Sequence, residues 1–290
     1  MDFFRPETLA EALALKAEHP DAVPIAGGTD VMVELNFDLR RPPALLDLTR
    51  VGELADWSVG NGGGDGLVRL GAGVPYARII TELAAELPGL AIASRTVGSP
   101  QIRNRGTVGG NLGSASPAGD AHPPLLATGA DIEVASARGS RTIPAAEFFS
   151  GPKRSVLAPD ELITAVRLPK ARGPQQFAKV GTRNAMVIAV CSFAVSLDAA
   201  DRTVGTGIGS AGPTPLRATE AEALAAELPW QTRQPVPDDV LGRFGELVGA
   251  AARPIDDVRG SAAYRRHALS VLARRTLSWA WRDYCSGGWS

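Results

Sequence analysis

The sequence predicts an α+β protein built in two units, and three observations carry that prediction. Mixed strand and helix patterns fill the first part of the chain, a run of alternating strands follows, and amphipathic helices close it. The segment Leu168-Pro-Lys-Ala-Arg-Gly-Pro174 lies between the two parts, and its prolines and glycine make it a linker. Two glycine-rich turns, Pro24-Ile-Ala-Gly-Gly-Thr-Asp-Val31 and Gly106-Thr-Val-Gly-Gly-Asn111, echo each other within the first unit. No longer repeat is present.

Taken in order, residues 7–18 have the spacing of an amphipathic helix, with Leu9, Leu13 and Ala17 on one face and Pro6 near its start. Residues 22–26 read as a strand that feeds the first glycine turn. Residues 30–37 are apolar enough for a helix packed behind that turn. Strands are predicted over 44–48, around Trp57 and over 67–70, the last two flanking a polar glycine loop at 60–66. Helical patterns cover 76–87, 90–97 and 121–129, and a strand covers 131–137. Beyond the linker, 177–180, 187–197 and 203–208 read as an antiparallel meander whose second turn is Asp198-Ala-Ala-Asp201. Helices follow over 216–228, 238–251 and 262–281.

Composition narrows the function classes. A chain of 290 residues with 44% apolar and 21% charged residues can bury a sizeable core. A formal net charge of -1 provides no global field to gather nucleic acid or an anionic membrane, so an anion must be held by local geometry. The two cysteines, Cys191 and Cys285, cannot ligate a zinc ion or an iron–sulfur cluster unaided, and the three histidines share no metal spacing. Cys191 lies in an apolar run and reads as a core residue. The first residues lack the basic and apolar regions of a signal peptide, and no apolar run approaches 18 residues. A soluble cytoplasmic protein is expected.

Three chemistries compete for the site. Gly207-Ile-Gly209-Ser-Ala-Gly212 is a literal dinucleotide fingerprint after a strand, but Pro213-Thr-Pro215 follows at once and no βαβ unit surrounds it. A glycine-rich strand end is the better reading. Ser116, Asp120 and His122 are close in sequence, yet no Gly-x-Ser-x-Gly elbow exists, and nucleophilic sets are recognised by geometry rather than order. His122 reads as a helix starter. The glycine pairs are the third candidate. Glycines let a ligand touch the backbone, and successive N–H groups form an anion-binding concavity. Thr29, Thr107 and Asn111 add donors, so two such turns could cradle a diphosphate without any lysine. One turn alone would mean only a tight strand-to-helix connection; two favour one ligand held from two sides.

These motifs carry a resemblance. Ala26-Gly-Gly-Thr-Asp30, the segment from Ser99 to Pro123 around Gly106-Thr-Val-Gly-Gly-Asn111, and Asp160-Glu-Leu-Ile-Thr-Ala-Val-Arg-Leu-Pro169 are similar to the FAD-binding middle subunit of the molybdenum hydroxylases, the family of xanthine and carbon monoxide dehydrogenases. The resemblance covers essentially the whole chain. It implies a vanillyl-alcohol-oxidase-like (PCMH-type) FAD-binding domain over 1–172, in subdomains of about 1–55 and 56–172. A C-terminal domain of a three-stranded sheet and helices is implied over 173–290.

The resemblance also implies site residues. Pro24, Ile25, Ala26, Gly27, Gly28, Thr29, Asp30 and Val31 form the first flavin turn, and Thr107, Val108, Gly109, Gly110 and Asn111 the second. Asp120 faces the adenosine half of FAD, although helix capping is an equally ordinary task for an Asp there. Val97 is apolar and near the cofactor, Ile163 lies on a strand lining it, and Lys179 reaches it from the C-terminal domain. Arg183 and Ile188 occupy the loop beside the isoalloxazine. That loop, Arg183-Asn-Ala-Met-Val-Ile-Ala189, lacks the acidic residues of many relatives, which leaves the electron acceptor open. No catalytic acid or base and no metal ligand is expected. The implied function is electron transfer through FAD, from a small subunit with two [2Fe-2S] clusters and a molybdopterin-binding large subunit to NAD or another acceptor. The implied assembly is a dimer of heterotrimers, and the motif wording is nearest to xanthine dehydrogenase. Carbon monoxide or aromatic-heterocycle hydroxylases are alternatives within the family. A free-standing flavin oxidase and an interaction module that has lost FAD are alternatives beyond it.

Overall fold

A computed structural model describes residues 1–60 and 66–288. The first glycine turn is set by a small parallel sheet. Strands β1 (Asp2–Phe4), β2 (Val23–Ile25) and β3 (Ala44–Asp47) pair in the order β1-β3-β2, with helix α1 (Leu9–Glu18) crossing between the first two. Thr8 caps α1 by accepting the Glu11 N–H at 3.2 Å. The face that α1 buries matches the predicted one in part: Leu9 and Leu13 pack on the core, whereas Ala17 is exposed. Ala12 and Lys16 are the buried residues, and the Lys16 ammonium donates to the carbonyls of Pro20 (2.6 Å) and Ala22 (2.7 Å). Helix α2 (Val31–Asn36) follows the turn but buries none of its residues, so the expectation that it packs behind the turn is wrong. Met32 and Val33 on it, and Phe37 and Leu39 beyond it, are exposed.

The second turn rests on an antiparallel sheet of β4 (Trp57–Val59), β5 (Leu67–Gly71), β6 (Asp131–Ser136), β7 (Gly139–Pro144) and β10 (Leu162–Pro169), ordered β4-β5-β10-β6-β7. Most of the 60–66 loop predicted between β4 and β5 lies outside the described residues. Helices α3 (Tyr76–Glu82), α4 (Pro88–Arg95), α5 (Pro100–Arg103), α6 (Val108–Ser114) and α7 (His122–Ala127) pack on this unit, and a short hairpin, β8 (Phe149–Gly151) with β9 (Arg154–Ser155), precedes β10. Of these helices α3 and α7 are shorter than the periodicity predicts, and α4 is shifted toward the N-terminus. Leu87 and Val97 lie outside helices because prolines and glycines interrupt the pattern, although Leu87 stays in the core. The predicted linker forms the last two residues of β10 and the step into the next sheet, since Pro169 pairs with Leu67 at the strand end.

The C-terminal meander of β11 (Gln175–Val180), β12 (Cys191–Asp198) and β13 (Thr203–Gly209) is antiparallel in sequence order, as predicted. Asp198 closes its second turn by accepting from the N–H groups of Ala200 and Asp201, both at 3.0 Å. Residues 187–190 are loop rather than strand. Helices α8 (Thr219–Ala225), α9 (Asp238–Ala251) and α10 (Ala262–Ser286) cover one face, around Phe193, Phe244 and Trp281. Cys191 is fully buried in that core, where burial lifts its thiol to about 12. The other side of β13 lies against α7, which joins the two halves.

Candidate functional site

The four glycines of the two turns divide into two kinds. A Cβ on Gly27 would stand 1.9 Å from the carbonyl oxygen of Arg105, and one on Gly109 would stand 2.5 Å from that of Ala72. These two are glycine so that the chain can close on itself: Gly27 brings the first turn against the segment entering the second, and Gly109 seats α6 on β5's end. Gly28 and Gly110 are different. Gly28 has φ +74° and would meet only side chains, at 3.3 Å and beyond, while Gly110 would meet only the Thr107 hydroxyl at 3.2 Å. Both border open space.

That space is a cleft of about 1010 Å³ between the parallel sheet's unit and the antiparallel one. It is at the upper end of the range for small-molecule and cofactor sites, as an extended dinucleotide requires. Among the described residues, the N–H groups of Gly27, Gly28, Thr29, Asp30 and Val31 make no hydrogen bond to other backbone groups. Unpaired amides in sequence are a concavity for anionic oxygens. The second turn is already partly satisfied: Thr107 caps α6 by accepting the Gly110 N–H at 2.9 Å, and the Gly109 N–H donates to Ala72 at 3.2 Å. The two turns therefore contribute unequally, the first through amides and the second through shape. Cations are present as well. Lys16, Arg40, Arg78 and Lys153 line the cleft, although the Lys16 ammonium is held by the Pro20 and Ala22 carbonyls and Arg40 and Lys153 pair with Glu34. They were missed because they lie far from either motif in sequence.

The cleft gathers most of the predicted residues. Pro24, the run from Ala26 to Val31, Val97, Thr107, Gly109, Gly110, Asn111 and Ile163 all line it. Ile25 and Val108 do not. Ile25 lies under Gly28, and Val108 points into the core at 1% exposure. Asp120 and Lys179 are absent from the lining and meet each other instead. The Lys179 ammonium donates to Asp120 Oδ2 at 2.6 Å and to the carbonyls of Thr96 (2.9 Å) and Val187 (3.2 Å). Asp120 caps no helix, since α7 starts after Ala121 without a side-chain cap. Its carboxyl is pushed up by burial and pulled back by Lys179, and its Oδ1 has no partner. Arg183 and Ile188 sit on an exposed loop beyond this pair. The Arg183 guanidinium donates to the Met186 carbonyl, and Ile188 is 62% exposed. Lys179 ties that loop, through Val187, to the segment carrying Asp120 and Thr96.

The competing motifs find structural work. A Cβ on Gly207 would lie 2.0 Å from the Pro123 carbonyl, and one on Gly209 would lie 2.4 Å from Ser192 Oγ. The fingerprint glycines let β13 approach α7 and β12, and the next helix begins only at Thr219. His122 donates through Nε2 to the Asn111 carbonyl (3.2 Å), while Asp120 is committed to Lys179, so no nucleophilic relay joins them. Among the described residues no His, Cys, Asp and Glu cluster could hold a metal ion.

A further cleft residue escaped the sequence reading. Tyr76 opens α3 at 3% exposure and lines the cleft, and its hydroxyl has no hydrogen-bond partner. Burial pushes its phenol well above the usual range, and the carboxylates of Asp120 and Asp30 push the same way.

Comparison with known proteins completes the description. Residues 1–171 match the family model "FAD binding domain in molybdopterin dehydrogenase", and residues 176–280 match "CO dehydrogenase flavoprotein C-terminal domain". The chain is 30% identical to the xanthine dehydrogenase FAD-binding subunit of Escherichia coli, covering 95% of this chain and 94% of that one. It is 34% identical to the caffeine dehydrogenase subunit beta of a Pseudomonas species, covering 96% and 93%. A chain of the Cu,Mo-CO dehydrogenase crystal structure superposes with TM-score 0.87 at 29% identity, covering 97% and 98%.

Proposed function

Because the chain belongs to the FAD-binding subunits of the molybdenum hydroxylase family and takes FAD as its cofactor, we propose that it is the electron-transfer subunit of a purine-oxidising, xanthine dehydrogenase-like member. The observation that carries the cofactor's location is the cleft between the two glycine turns, onto which Gly28 and Gly110 open and which residues 27–31, with their unpaired amides, line. FAD, when bound, supplies the redox chemistry, taking electrons from [2Fe-2S] clusters on a small partner subunit and passing them to NAD or another acceptor.

The chain's own residues bind and orient. The unpaired amides of the first turn offset the charge of a diphosphate, while Arg40 and Lys153 neutralise Glu34, which lines the same cleft. Val97 and Ile163 exclude water from the apolar part of the cofactor. The Lys179–Asp120 pair holds the C-terminal sheet, with its exposed 183–188 loop, against the cleft's edge. That loop contains no acidic side chain, which suits an anionic dinucleotide acceptor as far as charge is concerned. A molybdopterin-binding large subunit would oxidise the substrate. The exposed apolar run of Met32, Val33, Phe37 and Leu39 supports an assembled state, because such residues in series mark association surfaces. Among the relatives, two names carry purines, xanthine and caffeine, and they support the substrate class.

Coexpression with the neighbouring reading frames tests the proposal. The expected outcome is a complex containing a molybdopterin chain and a two-cluster chain that reduces NAD with a purine as donor. A lone flavoprotein that consumes oxygen with its own substrate would contradict it and favour a free-standing oxidase.

A further inference from the structure

We propose that Arg105 is a cofactor-binding residue: its guanidinium pairs with the diphosphate of the flavin dinucleotide held in the cleft. The inference rests on the reading of the cleft as the FAD site. Its first support is the state of the cations on the cleft wall, which are Lys16, Arg40, Arg78, Arg105 and Lys153. All but Arg105 are engaged within the protein. The Lys16 ammonium is held by two carbonyls, and Arg40 and Lys153 pair with Glu34. Arg78 pairs with Glu82, donates to the Ala55 carbonyl and lies over the Trp57 ring. Among the described residues, the Arg105 side chain has no hydrogen bond, ion pair or ring contact.

The second support is position. Gly27 packs against the Arg105 carbonyl, which lies 1.9 Å from where a Gly27 Cβ would be, and the Arg105 N–H donates to the Ile102 carbonyl at 3.1 Å. Both backbone polar groups are covered, yet the residue is exposed and lines the cleft, so what it presents there is its side chain. Gly27 opens the run of unpaired amides at 27–31, and the guanidinium therefore stands beside the turn that suits anionic oxygens. A planar guanidinium meets two phosphate oxygens at once. Arg103, in the same segment, shows the contrast: its guanidinium donates to the carbonyls of Val97 and Gly98, both at 3.1 Å, and is spent on the fold. Asp30 is a second charge on the cleft wall without an ion-pair partner among the described residues, whereas Glu34 is paired with Lys153 and Glu161 with Arg141. The experiment must therefore separate binding of a diphosphate from simple balancing of Asp30.

The test is Arg105→Gln, which removes the charge from an exposed side chain. FAD affinity of the apoprotein is measured at low and high salt, by titration followed through flavin fluorescence, and the melting temperature of the apoprotein is measured alongside. Loss of a charged hydrogen bond to a ligand weakens affinity by about tenfold or more. The expected result is that loss at low salt, a narrower gap between parent and variant at high salt, and an apoprotein that melts with the parent. Arg105→Lys, which keeps the charge without the planar fork, recovers part of the loss. Affinity of Arg105→Gln within about twofold of the parent's overturns the inference. So does an Arg105→Gln apoprotein that melts well below the parent, for then the arginine serves the fold. A third contrary result is an Arg105→Gln change that costs no affinity in an Asp30→Asn background, because the arginine then only offsets that carboxylate. A parent that takes up no FAD overturns the reading of the cleft and this inference with it, whereas a parent that binds beside an unaffected Arg105→Gln protein sinks the inference alone.

Discussion

His122 illustrates how one residue's environment sets a measurable property of the whole chain. It is fully buried against Phe149, with ring centroids 4.6 Å apart, and burial lowers its pKa to about 4 despite the carbonyl of Asn111. The unfolded chain would bind that proton near pH 6.5. Its contribution to stability is therefore complete above pH 6.5 and is lost as pH falls toward 4, at a cost on the order of 3 kcal/mol. Denaturant unfolding at pH 7 and pH 4.5 should show this loss in the parent and a much smaller one in His122→Gln. Equal losses in both proteins would mean that other groups carry the acid sensitivity. Sequence reasoning found that His122 starts a helix but not that it is buried, since burial depends on Phe149, a residue far along the chain. The same limit applies to Asp120. Its motif marked it as special, but its partner Lys179 lies 59 residues away and on another sheet. Only the resemblance connected both to one site.

At the scale of elements, glycine-rich stretches of similar appearance do different jobs. The fingerprint at 207–212 and the turn at 106–111 each carry three glycines at a junction of regular structure, and their surroundings separate them. The prolines after Gly212 gave the first away, because they prevent a helix from starting on the glycines. Gly209→Ala would push a methyl toward Ser192 Oγ and Pro123, so it should destabilise the chain by about 1–3 kcal/mol. FAD content per folded molecule should be unchanged, as read from the ratio of flavin to protein absorbance. Loss of flavin from a folded Gly209→Ala protein would return the motif to candidacy. Helix α2 shows where pattern reading fails: apolar content predicted burial, but no residue of the helix is fully buried, and Met32 and Val33 remain exposed. Apolar content reports what a residue can bury, not whether a neighbour exists to bury it.

For the molecule as a whole, most of the architecture was legible because it is local. The meander, its Asp198 turn and the closing helices follow from periodicity and turn chemistry. The five-stranded sheet was only partly legible, since β10 pairs with β5 and β6, both distant in sequence, and β7 is a largely exposed edge strand with a weak pattern. The cleft was legible as two motifs but not as a cavity, because Lys16, Arg40, Tyr76 and Lys153 reach it from elements that carry no motif. Among the described residues no helix is long and apolar enough to cross a membrane. We propose that FAD lies, without a covalent bond, in the cleft onto which Gly28 and Gly110 open. An FAD titration of apoprotein, parent against Gly28→Val and Gly110→Val, tests this. The parent should saturate at roughly one FAD per chain and release intact FAD on denaturation, and the folded variants should bind little or none. Variants that bind FAD as tightly as the parent would contradict it.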